Sequence, residues 1–231
     1  MTTTTSIGIA GFIALASFGL FSLTNDNRPA VNPQTTEIRL PATGTTLNLE
    51  SFDEIELAGG CDVEVVKGST NSIEILSGEI DLNNKENFTV EKGKLMINAS
   101  PNGIGKQISI KVTIAGPLKG LSLSGAGDIQ LSDAFNDLEK ITIMGSGDVT
   151  GKKESTSKSL HLSIMGSGDI DFTRTNCETA HCSIMGSGDI KVGESKTIHA
   201  EITGSGTIYY KGDPAGASEY INIGSGKIVS F

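Results

Sequence analysis

Tryptophan is absent from the 231 residues, aromatic residues make up only 5%, and cysteine occurs three times, at Cys61, Cys177 and Cys182. An odd cysteine count does not close a disulfide framework. No CxxC occurs, which excludes a zinc ribbon and a thioredoxin-like site. Cys177 and Cys182 either pair across a corner or stay free; spacing alone leaves both open. Arginine is confined to Arg28, Arg39 and Arg174, and the net charge is −9. That balance excludes binding nucleic acid through its phosphates, which needs clustered cations. No Ser-His-Asp, Cys-His or HExxH arrangement stands out.

What is present is glycine, 29 residues of it, and long polar stretches with Ile, Val and Leu at alternate positions. That alternation is a strand signal. The N-terminal part differs. Ile7 to Leu23 is an uncharged run of 17 residues. As a helix it would span roughly 25 Å, just short of a hydrocarbon core of about 30 Å. It reads as a hydrophobic helix, either the core of a signal peptide or an uncleaved membrane anchor. No basic residue precedes the run and no small-x-small cleavage site follows it, and length alone favours the anchor. Residues 1–24 are therefore assigned to export or anchoring. Residues 25–36, polar and carrying two prolines, read as a linker. The remainder, 37–231, is expected outside the cytoplasm.

The strongest feature is a repeat. LSLSGAGDI (121–129), ITIMGSGDV (141–149), LSIMGSGDI (162–170), CSIMGSGDI (182–190) and AEITGSGTI (200–208) follow one another, with a weaker NIGSGKI at 222–228. The residue after each Gly-x-Gly is Asp128, Asp148, Asp169, Asp189, Thr207 or Lys227, in steps of 20, 21, 20, 18 and 20. A fixed period of this size marks stacked units. Each unit has two short strands of period two, joined at a glycine corner. One unit is too small to bury a core, so neighbours must stack about 4.8 Å apart and align their apolar residues in an inward ladder. The expected fold is all-β: a parallel, right-handed β-helix with regular coils over 117–231. An antiparallel meander fits the uniform register less well, and leucine-rich repeats lack their Asn ladder here. Residues 37–116 alternate less regularly and read as irregular first turns or a cap, with AGGCDV inside FDEIELAGGCDVEVV (52–66) as a degenerate corner.

FDEIELAGGCDVEVVKG, SGAGDI, GSGDI and GSGTIYYKGDP together resemble the bacterial head GIN domain family of autotransporter adhesins, over about residues 50 to 231. The resemblance implies a secreted or envelope β-solenoid with an adhesive or binding role. It supplies no catalytic residues. Unlike many members, this chain has no cysteine after its apolar segment to carry a lipid anchor.

Stacking turns positions into columns. Asp128, Asp148, Asp169 and Asp189 would align like charges about 5 Å apart, which suggests calcium between carboxylates or, more simply, each Asp bonding the amides of its own corner. His161, His181 and His199, the only histidines, each lie eight residues before a corner residue, with Lys140 one turn earlier. They point outward on strict alternation and suggest a transition-metal or pH-sensitive patch, or a plain polar column copied by duplication. Met144, Met165 and Met185 read as corner packing. Tyr209 and Tyr210, with Tyr220, are candidates for stacking on a sugar ring or for capping the last turn.

The expected function is non-catalytic binding or adhesion at the cell envelope, to an unidentified surface partner or glycan, with no required cofactor. The alternatives are a polysaccharide-active β-helix enzyme and a self-associating envelope scaffold. An enzyme needs two carboxylates in unlike environments, whereas the repeat makes its aspartates equivalent. A scaffold needs an open end, and the segment 209–220 with Pro214 suggests a closed one.

Overall fold

A computed structural model describes residues 46–99, 107–214 and 218–231. The apolar run at 7–23, its expected helix and the linker at 25–36 lie outside the described residues. Among the described residues there is no helix; all regular structure is β.

The chain winds as a parallel solenoid. Strands before the glycine corners form one sheet: Gly120–Gly125, Lys140–Gly145, Ser155–Gly166, Thr175–Gly186, Ile190–Gly204 and Glu219–Gly224 pair in parallel, each with the next. Strands after the corners form the second: Ile129–Leu131, Val149–Gly151, Ile170–Phe172, the start of Ile190–Gly204, Thr207–Lys211 and Lys227–Ser230. The register follows the repeat, so Ile143, Ile164, Ile184 and Ile202 face one another inward and are fully or almost fully buried. Ile129, Val149, Ile170, Ile190 and Ile208 make the matching ladder on the other sheet. Each such side chain contributes about 1.5–3 kcal/mol through removal from water.

The corners explain the glycines. At Gly166 the backbone has φ 145°, and a Cβ there would sit 2.1 Å from the carbonyl oxygen of Gly145 in the preceding coil. That carbonyl accepts the amide of Ser167 at 2.9 Å, so the two coils approach too closely for any side chain between them.

The N-terminal coils are not stacked in chain order. Strands Glu54–Gly59 and Asp62–Lys67 form a coil with the AGGCDV corner, and it pairs directly with the coil of Gly120–Gly125 and Ile129–Leu131. On its other side lie Lys94–Ala99 and Ser109–Ile114, which come later in sequence. On the outer edge Ser72–Ser77 pairs antiparallel with Ser109–Ile114 and Phe88–Glu91 with Lys94–Ala99, and Thr46–Asn48 lies beyond Ser72–Ser77. The first coil is thus sandwiched between later ones, and the antiparallel strands are the cap.

At the other end the expectation of a cap at 209–220 fails. Thr207–Lys211 is a coil strand, and Glu219–Gly224 begins a further coil stacked upon it. In that last coil the pattern is inverted: Tyr220 and Asn222 take the inward register opposite Ala200 and Ile202, while Ile221 and Ile223 face outward and are exposed.

Candidate functional site

The aspartates after the corners form a hydrogen-bonded ladder. The carboxylate Oδ1 of Asp128 accepts the amide of Asp148 at 2.9 Å, Asp148 that of Asp169 at 2.8 Å, Asp169 that of Asp189 at 2.7 Å, and Asp189 that of Thr207 at 2.7 Å. Asp62, in the degenerate corner, begins the series by accepting the amide of Asp128 at 3.3 Å. Each Asp therefore bonds the next coil and not its own corner, which corrects the simpler expectation. A charged acceptor directed at a backbone N–H makes a strong bond, which offsets like-charge repulsion along the column. Asp62 was visible in sequence only as the odd member of AGGCDV.

The histidines stack face to face. His161 and His181 have ring centroids 4.4 Å apart, and His181 and His199 4.8 Å, both with planes 7° from parallel. Imidazole lone pairs lie in the ring plane, so the nitrogens of parallel rings point alongside one another instead of at one point. No group of three or more His, Cys, Asp or Glu side chains placed to share an ion occurs among the described residues. Lys140 stands at one end of the column and Glu219 at the other, with Glu219 Oε2 3.8 Å from His199 Nδ1. Burial, and then the flanking imidazoles, hold the pKa of His181 below its ordinary value.

Beside the histidines, Met144, Met165 and Met185 are exposed by 47%, 42% and 61%, so they do not pack the corners. They alternate outward because the inward positions around them are already filled by isoleucine. Tyr209 and Tyr210 face opposite sides of their strand. Tyr209 lies in the outward column after Lys191, edge-on to Phe231 at 6.4 Å. Tyr210 packs against the core and stacks on Tyr220 at 6.1 Å. Its hydroxyl, bonded to that of Tyr220, has its pKa pushed up to about 12. The two do not form one stacking platform.

All three cysteines are buried free thiols. Cys177 and Cys182 lie on the one strand Thr175–Gly186 and do not pair; Cys177 Sγ is 3.2 Å from Ser195 Oγ.

A larger concavity escaped the sequence reading. Where each post-corner strand turns into the following strand, a groove of about 1000 Å³ runs across several coils, lined among others by Asn136, Lys152, Arg174, Asn176, Glu194 and Lys211. Asn136, Asn176, Glu194 and Lys211 lie in one column that crosses the coils, but unlike the aspartate and histidine columns this one changes chemistry along its length.

The described residues thus make a parallel β-solenoid with an inter-coil aspartate ladder, outward columns and a polar groove. The chain belongs to the family described as "Putative auto-transporter adhesin, head GIN domain", whose model matches residues 51–214. A solved structure from Bacteroides fragilis, described as a putative adhesin, shares 20% identity; the match covers 81% of this chain and 95% of that one, with a TM-score of 0.61. A putative adhesin from Parabacteroides distasonis shares 21% identity over 82% of this chain and 96% of its own, with a TM-score of 0.51. These likenesses concern the fold. No curated protein matches the chain in sequence.

Proposed function

We infer that this protein is a non-catalytic, adhesion-type binding solenoid displayed at the cell envelope. The observation that carries the reading is the equivalence of its repeated carboxylates. From Asp128 to Asp189 each aspartate spends one oxygen on the amide of the next coil, in one geometry. Glycoside cleavage needs one carboxyl kept protonated and another ionised, hence two unlike environments. The ladder provides likeness, and its work is to hold coils in register. The adhesin description of the family supports a surface location. The uncharged run at 7–23 supplies the export or anchoring signal in this reading.

The test is to incubate the full chain with a panel of polysaccharides, follow product release by mass spectrometry, and measure retention on the same immobilised polymers. Retention without new reducing ends or unsaturated products is expected. Turnover of any polymer would replace the binding reading with the enzymatic one.

A further inference from the structure

The groove beside the coil junctions arises where the repeat breaks its own length. Successive rungs of the aspartate ladder are separated by 20, 21, 20 and then 18 residues. The lost residues come from the junction between the two sheets. One coil spends Lys152–Glu154 on that turn, between Val149–Gly151 and Ser155–Gly166; the next spends only Thr173 and Arg174. In the short coil nothing is left to spend, and Ile190–Gly204 runs through as one strand with its register shifted between Val192 and Glu194. Gly193 permits this. A Cβ there would sit 2.3 Å from the Thr175 carbonyl oxygen, so only glycine lets the coil draw in so far. The groove runs beside this junction, and Glu194 is the short coil's contribution to its lining.

Its lining carries both signs of charge in equal number. Lys152, Arg174 and Lys211 face the groove together with Glu154, Asp171 and Glu194, and among the described residues none of these six makes an ion pair. Asn136 and Asn176 are held in place because their Oδ1 atoms accept the amides of Thr156 and Glu194, both at 3.0 Å. Their Nδ2 groups remain as donors. Phe231, 55% exposed, offers an apolar ring at one end.

We propose that this groove binds an oligosaccharide, lying across the coils and held by Arg174, Asn176, Glu194 and Lys211. The proposal rests on the reading of the protein as a binder and names the site and ligand class. A hydroxyl is both donor and acceptor, so a polyol needs both kinds of partner side by side. With three carboxylates beside three cations, a ligand of dense single-sign charge meets repulsion wherever it meets attraction. A polyol avoids that penalty and gains a ring face at Phe231. A volume of about 1000 Å³ exceeds a single sugar and suits a short chain.

The experiment presents the full chain to an array of neutral and uronate-containing oligosaccharides and repeats the strongest hits by calorimetry. Binding of at least one oligosaccharide is expected, with Arg174→Ala and Lys211→Ala each weakening it at least tenfold at unchanged melting temperature. His181→Asn, five residues beyond Asn176 on the same strand and outside the groove lining, should bind as the parent does. Binding that survives both groove variants but is lost with His181→Asn overturns the groove while leaving a binder. No binding to any oligosaccharide overturns the ligand class. Cleavage of a bound oligosaccharide overturns the binder reading itself.

Discussion

Asp169 and Asp189 sit on adjacent coils, and the carboxylate of the first accepts the backbone amide of the second at 2.7 Å. The side chain of one repeat thus completes the backbone of the next. Asp169→Ala should remove this bond and lower stability by about 1.5–3 kcal/mol, the usual worth of a charge-assisted bond. Asp169→Asn keeps an acceptor and relieves repulsion along the column, so it should cost much less. Denaturant melts of the two variants check this; equal losses would mean that the charge itself, and not the acceptor, holds the coils.

Gly166→Ala should be far more damaging than its size suggests. The methyl group would meet the Gly145 carbonyl oxygen at 2.1 Å, in a backbone conformation that L residues rarely adopt. A loss of about 3 kcal/mol or more is expected. Ser167→Ala, at the tip of the same corner, should be nearly silent. Thermal melts of both check this.

Ile164→Asp places a charge on the inward ladder at a fully buried position. With no partner available, the cost is expected to exceed about 4 kcal/mol and to unfold the middle coils. Ser163→Asp, one residue away but outward, should leave the melt within about 0.5 kcal/mol of the parent. The pair is read by circular dichroism.

That alternation, the glycine corners and the parallel register were all legible in the sequence, because each repeat states them again. The placement of the coil at 54–67 was not. Its partners at 94–114 and 120–131 are chosen by long-range pairing, on which local pattern is silent. The aspartate bonds were legible as to residue but not as to partner, since the amides of both its own corner and the next coil lie within reach of a short side chain. Met144, Met165 and Met185 were read by residue type instead of by strand parity, and parity turns them outward. The groove was recorded only as one 18-residue step in a series of about twenty, and its meaning depends on which part of the coil was shortened.

The stacked histidines give the fold a pH dependence of definite sign. His181 has a pKa held below the ordinary 6.5, first by burial and then by His161 and His199. As pH falls through 6.5 the unfolded chain takes up this proton before the folded one does, so stability should fall and then level off below the lowered folded value. His181→Asn should flatten that part of the profile. Melting temperatures between about pH 8 and about pH 5 check this.

The thiols should be inert while the protein is folded. Burial pushes Cys61 up to about 12 and also raises Cys177 and Cys182, so thiolate is scarce at neutral pH. A thiol reagent at about pH 8 should react only after denaturant is added, and should then titrate all three cysteines. A rapidly labelled thiol, or fewer than three after unfolding without reductant, would contradict the free, buried state.

The central claim is that the repeated columns hold the coils together and that binding resides where the repeat is broken. The most direct measurement compares oligosaccharide-array binding by the full chain, by the variant with His161, His181 and His199 all changed to Asn, and by the variant with Lys152, Arg174 and Lys211 all changed to Ala. The account predicts parental binding for the histidine variant and loss of binding for the groove variant, with all three proteins folded. Parental binding by the groove variant together with loss in the histidine variant would contradict it.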